Sequence, residues 1–507
     1  MTSRVSLSAP ASRVFGPATV IGRDDPRYPD LVLGRSHRFV GTPEHVRLVT
    51  STADVVDAVQ EAVRTGRRLA VRSGGHGYED IVTHKDVRVL VDVSRLSEVG
   101  FDEEMGAFVV GSGARLGEAY RTLYTGWGVT FPGGACATVG AGGHLTGGGY
   151  GPLTRKYGYA ADHVYAVEVV VVDRDGQARA VVATREPDDP NRDLWWAHAG
   201  GGGGSFGVVT RFWLRSDGDD LLPRPPATVI GKEVVWPWDG LNQESFSRLL
   251  KNFGTWYEHH SEPGTPETAL WSAIVATRRE GNGIAFGVQV DATVPGAREL
   301  LAAHFDAVRE GVDAPYIFEE RTLPWLTSTE WLSALAENGV SGQRIKVKAA
   351  YLRTGLTDAQ LATAYRHLTA DGYRNSRVSL LLNGDGGQAH ARSATDTAIA
   401  QRDSVMKAIY QSVWSDAEDD EEHVGWQRRF YRDMYADTGG VPVPGEHVDG
   451  SYINYPDADL ADPEWNTSGV PWHELYHRHN YPALQQVKAR WDPLNVFRHV
   501  LSVRPPA

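Results

Sequence analysis

PGGACATVGAGGHLTGGGYG, residues 132–151, has glycine at nine of its twenty positions, and most of the others are small. A stretch this bare cannot fill a core. It suits a backbone laid against a bulky ligand, where any Cβ would intrude. Two stretches of the same kind flank it, RSGGHGYED (72–80) and AGGGGGSFGVVT (199–210). In the first, Ser73, Gly74 and Gly75 follow a short strand and offer backbone N–H groups of the sort that cradle phosphate oxygens. The glycines of this first stretch do not match G-x-G-x-x-G with its following helix, so a nicotinamide-binding Rossmann unit is not supported. Three such stretches in one half-chain point to one large cofactor.

His76 and Cys136 sit inside the first two stretches with small residues around them. Taken singly, the histidine reads as a loop residue bonded to backbone and the cysteine as packing. Together, their small neighbours let a planar group come within bonding distance of both.

Outward from these stretches, DVVDAVQEAVRTG (54–66) spaces Val and Ala at i, i+3, i+4 and predicts an amphipathic helix stopped by Gly66. Short strands are expected at 68–75, 87–94 and 107–113, a second helix at 116–128, and a doubly buried strand at 164–173. SDGDDLLPRPP (216–226) marks a domain boundary. Beyond it, strands (ALWSAIVATR, IAFGVQVDATV, VSLLLNG) alternate with amphipathic helices, and 481–500 predicts a helix ending before Pro493. The acidic run at 416–423 reads as a solvated helix start.

At 507 residues the chain is too long for one compact core and long enough for two large domains. Its net charge of −13 and lack of a basic run argue against a nucleic-acid or anionic-membrane partner. No stretch approaches the roughly 18 apolar residues of a membrane span, and the first 20 residues hold no secretory-type apolar run. A single cysteine excludes an intrachain disulfide framework, so a reducing cytoplasm is the expected compartment. Monomer and homodimer are both open on sequence.

GGHGYED (74–80), GGACATVGAGGHLTGGGYG (133–151), YINYPDADL (452–460) and WDPLNVF (491–497) together resemble the berberine bridge enzyme-like group of FAD-linked oxidases, within the vanillyl-alcohol oxidase superfamily. The likeness is strong over about 40–215, good over about 450–500 and weak between. It implies an α+β, two-domain PCMH-type FAD-binding fold. Residues 1–216 would form the FAD domain, 217–449 a sheet-and-helix substrate domain, and 450–507 a segment returning to the first. It further implies FAD bonded at its 8α-methyl carbon by His76 and at C6 by Cys136. Other implied cofactor contacts are Arg72, Ser73, Gly74, Gly75, Gly77, Val139, Gly140, Gly143, Gly148, Gly207, Val208, Val209, Asn454 and Asn495, with His144 on the ribityl and pyrimidine side. GRDDPRYPDLVLGR (22–35), Asn495 and Phe497 would frame that domain. Double attachment would fix the ring and raise its potential, favouring hydride uptake.

The implied reaction takes hydride from an alcohol, sugar hydroxyl or hemiacetal of a small-molecule natural product or saccharide to flavin N5, with O2 reoxidation giving hydrogen peroxide. The alternatives are a flavin dehydrogenase with another acceptor, since Val139 lies at the position where the resemblance implies gating of oxygen, and a non-redox cyclase or binding protein retaining FAD structurally. Tyr78, Tyr150, Tyr452 and Tyr455 fall where relatives line the substrate side. A free tyrosine, with a pKa of about 10, needs stabilisation as phenolate to act as the base. Tyr455 is the favoured base, Tyr78 and Tyr150 position substrate, and Tyr452 is the rival. GSYINYPD (450–457) reads as a strand, on which residues three apart face opposite sides unless a bulge intervenes. Asn383, in NGDGGQ (383–388), stands where relatives carry an Asp or Tyr partner, and an amide takes no proton. Asp385 could substitute or simply make a turn. No metal site is expected, although HELYH (473–477) has the H-E-x-x-H form, since its histidines read as surface residues. With one cysteine, a thiol hydrolase has no independent support either.

Overall fold

The computed structural model describes residues 19–218, 221–337 and 340–506. Positions 219–220 of the boundary segment and nearly all of the N-terminal stretch read above lie outside these. The described residues form three sheets. The first contains β1 (Thr19–Gly22), β2 (His45–Leu48), β3 (Leu69–Arg72) and β4 (Val89–Asp92) in the order β1-β2-β4-β3. Its last three strands run parallel. A parallel pairing needs a crossover, and helix Thr52–Arg64 supplies the one between β2 and β3, burying Val55, Ala58, Val59 and Ala62. This helix starts two residues earlier than its apolar period suggests, because Ser51 Oγ accepts the Asp54 N–H at 3.2 Å and caps it.

The second sheet is antiparallel and runs β5-β6-β9-β7-β8, from β5 (Val99–Asp102), β6 (Ala107–Gly111), β7 (Val164–Val172), β8 (Ala178–Thr184) and β9 (Val208–Leu214). The third is a seven-stranded antiparallel sheet ordered β13-β10-β12-β11-β15-β16-β14. Its strands are β10 (Thr228–Trp236), β11 (Leu270–Thr277), β12 (Ile284–Asp291), β13 (Ile317–Pro324), β14 (Arg344–Leu352), β15 (Val378–Gly384) and β16 (Met406–Trp414). Burial along β15 alternates strictly, with Val378, Leu380 and Leu382 buried and Ser379, Leu381 and Asn383 half-buried. The buried face packs on helices, as where Tyr410 of β16 meets Phe430 and Tyr431 of helix Asp420–Met434. The half-buried face looks onto a cavity. That helix begins inside the acidic run, whose Asp420 pairs with Arg344 at 2.5 Å.

The first two glycine stretches cross. A Cβ on Gly74 would lie 2.3 Å from the Gly140 nitrogen, and one on Gly140 would lie 2.0 Å from Ser73 Oγ. Both are well inside contact distance, so only glycine permits the crossing. Ser73 Oγ donates to the Ser112 carbonyl at 2.6 Å, and the Gly142 N–H donates to the same oxygen at 2.8 Å. The third stretch is tied to the second through the Gly200 and Gly202 N–H groups on the Thr146 carbonyl, at 3.0 and 2.9 Å. The chain end returns here. Helix Tyr481–Trp491 carries a buried Lys488 that donates to the Ser205 and Phe497 carbonyls, both at 2.6 Å.

One expectation is overturned. Residues 450–457 form no strand; the Tyr455 N–H donates to the Tyr452 carbonyl at 2.9 Å, closing a turn. The turn folds Tyr452 and Tyr455 together, with ring centroids 5.3 Å apart, so the opposite-faces argument does not apply. Asn454 and Pro456 are turn formers that outweigh the strand preference of Tyr and Ile.

Just after this turn lies a buried ion network. Lys346 of β14 reaches Glu79 at 2.5 Å and Asp457 at 2.7 Å, and Lys348 reaches Asp457 at 2.6 Å and Asp459 at 2.8 Å. Arg428 closes on Asp459 at 2.6 Å. Glu79 adjoins Tyr78 and Asp457 follows Tyr455 by two residues, so the network fixes three separate segments around the tyrosines. Burial alone would raise the Asp459 carboxyl, yet Lys346 and Lys348, with Arg428, hold it far below the usual range. A carboxyl depressed on folding contributes stability that is complete above its ordinary pKa of about 4 and drains as pH falls below it.

Gly74→Ala is expected to cost about 3 kcal/mol, the upper end for overpacking. Gly126→Ala, in helix Leu116–Trp127 with nothing within 4 Å of the new methyl, should gain about 0.5–1 kcal/mol. Calorimetric melting checks both. Lys346→Ala leaves buried carboxylates short of a cation and should cost about 3–5 kcal/mol. Glu330→Ala, which breaks the exposed Arg121–Glu330 pair, should stay within about 1 kcal/mol, both read by urea unfolding.

Candidate active site

Between the glycine crossing and the open face of the third sheet lies a cavity of about 800 Å³. Arg72, Ser73, Gly74, Gly75, His76, Gly77 and Tyr78 line it from the first stretch, and Cys136, Val139, Gly140, Gly143, His144 and Tyr150 from the second. Gly207, Val208 and Val209 line it from the third stretch and β9, and Tyr452, Asn454, Tyr455 and Phe497 from the C-terminal segment. Two expected contacts do not line it. Gly148 is glycine because a Cβ would meet Ile399 at 2.9 Å, a packing reason, and because its φ is +109°. Asn495 forms a left-handed turn (φ 51°) and sits away from the cavity wall.

The walls suit a large anionic, planar cofactor. They are built of glycine backbone and small apolar side chains, and positions 77 and 143 have nothing within 4 Å of where a Cβ would stand. Among the described lining residues, Arg72, Arg377 and Arg498 are cationic and no carboxylate occurs. Arg72 is held by Asp92 through two bonds of 2.9 and 2.5 Å. Among the described residues, no group of three or more His, Cys, Asp or Glu could hold a metal ion, and no helix is long and apolar enough to cross a membrane.

His76 and Cys136 are brought beside one another, since His76 Nε2 hydrogen-bonds Thr138 Oγ1 at 2.9 Å, two residues past the cysteine. Burial, helped by Arg35, lowers the imidazole to about 4, so it is neutral at physiological pH. Burial pushes the Cys136 thiol up to about 11. His144 is half-buried, and desolvation lowers it to about 4 as well. Its Nε2 accepts the Gly134 N–H at 3.0 Å, which leaves Nδ1 as the ring's donor. It therefore shapes the Cys136 loop as well as facing the cavity.

The four tyrosines are not equivalent. Tyr150 and Tyr455 share a hydrogen bond of 2.8 Å between their hydroxyls. Tyr455 is half-buried at the cavity and Tyr150 stands behind it. The Tyr452 oxygen accepts the Gly149 N–H at 3.0 Å and the Asn454 amide at 3.1 Å, so its lone pairs are directed into the protein. Tyr78 lies tilted against Tyr455 with ring centroids 5.9 Å apart, its hydroxyl raised to about 12 by burial. Burial raises Tyr150 and Tyr455 as well.

A group that sequence reading missed alters this picture. Lys407 of β16 is buried with its ammonium 4.2 Å from the Tyr150 ring centroid, within cation–π reach. Asp385 anchors it and also accepts the Tyr159 hydroxyl at 2.7 Å. Asp385 is thus a buried counter-ion, neither an exposed turn residue nor part of the cavity wall. Asn383 does line the cavity; its Oδ1 accepts Trp271 Nε1–H at 2.8 Å, turning the amide NH2 into the free donor. Val275, Leu381, Ile409 and Val347 complete an apolar wall on the sheet. Lys407 could have been found only through register, since it pairs directly opposite Asn383.

A family profile described as FAD binding domain matches residues 43–181, and one described as Berberine and berberine like matches 451–504. Aclacinomycin-N/aclacinomycin-A oxidase of Streptomyces galilaeus is 48% identical over 96% of this chain and 90% of its own length. Hexose oxidase of Chondrus crispus is 31% identical over 95% of this chain and 94% of its own. The crystal structure of CrmK, a flavoenzyme involved in shunt product recycling in caerulomycin biosynthesis, matches with a TM-score of 0.95 at 48% identity, covering 97% of this chain and 100% of that one. The glycine crossing, the tyrosine-lined cavity and these full-length likenesses agree: the chain belongs to the berberine bridge enzyme-like FAD-linked oxidases and is an FAD-binding oxidoreductase.

Proposed function

We propose that the chain bonds FAD through both His76 and Cys136 and oxidises a CH–OH group of a sugar or glycosylated natural product, with dioxygen as acceptor and hydrogen peroxide as product. The observation that carries this reading is the Tyr150–Tyr455 hydroxyl pair, backed by Lys407, in the same cavity as His76 and Cys136. The relatives' names, an aclacinomycin oxidase and a hexose oxidase, support the substrate class. Residues 1–216 with 450–507 would serve as the cofactor domain and 217–449 as the substrate domain. A lone cysteine supports a reducing compartment such as the cytoplasm.

When bound, FAD supplies a two-electron acceptor for hydride. The protein's part is to take the hydroxyl proton and orient the carbon. Tyr455 Oη takes that proton, since it faces the cavity. Tyr150 donates to Tyr455 Oη, and the Lys407 charge against the Tyr150 ring stabilises the anion that the pair shares. Tyr452 could accept a substrate proton only by surrendering its Gly149 and Asn454 bonds. The Asn383 NH2 positions a substrate oxygen but moves no proton, which favours a single two-electron oxidation.

A visible spectrum before and after acid precipitation tests the attachment. Yellow colour should stay in the pellet for the wild type, His76→Ala and Cys136→Ala, and leave it in the double variant; free flavin released from the wild type would refute double bonding. Screening sugars and glycosylated aromatics for peroxide release tests the reaction. Tyr455→Phe should then lower kcat about 10²–10⁴-fold. Lys407→Met removes a cation that favours the phenolate, so the rising limb of the pH–rate profile should move upward by roughly one unit, from a cation–π energy of about 1–2 kcal/mol.

A further inference from the structure

Helix Trp325–Glu337 extends from the edge of the seven-stranded sheet over the Cys136 loop and ends on it with two polar side chains. Ser333 Oγ accepts the Ala137 N–H at 2.8 Å. Glu337 Oε1 accepts the Thr138 N–H at 3.2 Å and the Thr138 hydroxyl at 2.7 Å. Thr138 has one hydroxyl proton, and the acceptor-only carboxylate takes it. Toward His76 Nε2, 2.9 Å away, the Thr138 oxygen can therefore only accept. That assigns the proton of the neutral imidazole to Nε2 and leaves Nδ1 with its lone pair. A carboxylate, a hydroxyl and an imidazole are so aligned on the one histidine expected to bond the cofactor, and the oxidation chemistry uses none of the first two.

We propose that Glu337, through Thr138, is a positioning relay that prepares His76 for its own covalent attachment, rather than a residue of substrate oxidation. The proposal rests on the reading that His76 bonds FAD at the 8α carbon. In that step His76 Nδ1 forms a bond to the 8α carbon, while one C–H bond there and the Nε2–H bond break. The two electrons would end on the isoalloxazine with two protons, one from the 8α carbon and one taken from solvent in exchange for the Nε2 proton handed to Glu337, and dioxygen would remove both as hydrogen peroxide. As Nδ1 bonds, the imidazole becomes cationic, and the Nε2 proton has a path through Thr138 toward Glu337. The hydrogen bonds from Thr138 also outweigh partial burial and keep the Glu337 carboxyl below its usual range, so it is ionised and able to accept.

The test is peptide mass spectrometry of purified holoenzyme in the Cys136→Ala background, where His76 is the sole attachment point, alongside the native visible spectrum. Glu337→Gln and Thr138→Val should remain yellow but hold flavin that acid releases, with the modified fraction of the His76 peptide down about tenfold or more, as for a lost proton-transfer partner. Glu337→Asp and Thr138→Ser should restore much of it. Ser333→Ala, which loosens the same helix-to-loop contact and removes one 3.3 Å bond to Glu337 Oε1 but leaves the carboxylate and Thr138 in place, should attach near the parent level. Attachment at the parent level in both Glu337→Gln and Thr138→Val would overturn the proposal. So would equal loss in Ser333→Ala, or absence of all flavin from both relay variants, because the contact would then be scaffolding. Absence of a flavinylated His76 peptide in the parent would instead refute the underlying attachment reading.

Discussion

Two backbones crossing at Gly74 and Gly140 are the constraint on which the rest depends. The contact is closer than any side chain allows, and it places His76 and Cys136 on adjoining walls of one cavity. Everything else at that end of the molecule holds the crossing shut: the Ser112 carbonyl shared by Ser73 and Gly142, the Thr146 carbonyl shared by Gly200 and Gly202, and Lys488 reaching back from the C-terminal helix. The three glycine stretches act as one construction, and the chain end belongs to it.

Opposite this wall, order comes from buried charge. The network of Lys346, Lys348 and Arg428 with Glu79, Asp457 and Asp459 costs desolvation and adds little net stability compared with an apolar replacement. What it supplies is position. It joins the residue after Tyr78, a strand of the third sheet and the turn carrying Tyr452 and Tyr455. Lys407 with Asp385 does the same behind Tyr150. Both ion clusters come from strands of the seven-stranded sheet, but from its two faces: Lys407 pairs with the cavity-lining Asn383, whereas Lys346 and Lys348 pair with Ser412 and Tyr410 on the helix-packed side.

The sequence made some of this legible and hid the rest for physical reasons. A ligand-facing backbone leaves a compositional mark, so the three glycine stretches stood out, as did the histidine and cysteine among them. Helices with clear caps, such as 52–64, were legible to within two residues. Individual glycines were harder: Gly148 is required by Ile399 and by its own φ, reasons that composition does not separate from a ligand. The YINY segment carries strand-forming residues but closes as a turn. Lys407 and Glu337 were invisible because their partners lie far along the chain. Only the register of β15 with β16, and the landing point of helix Trp325–Glu337, bring them to the cavity.

One flavin ring must meet two side chains. A crystal structure of the purified yellow protein tests it most directly. Continuous density from His76 Nδ1 and from Cys136 Sγ into a single isoalloxazine, beside a closed Gly74–Gly140 contact, is the predicted result. A flavin bonded to neither residue, or density that puts the two side chains in separate cavities, would contradict it.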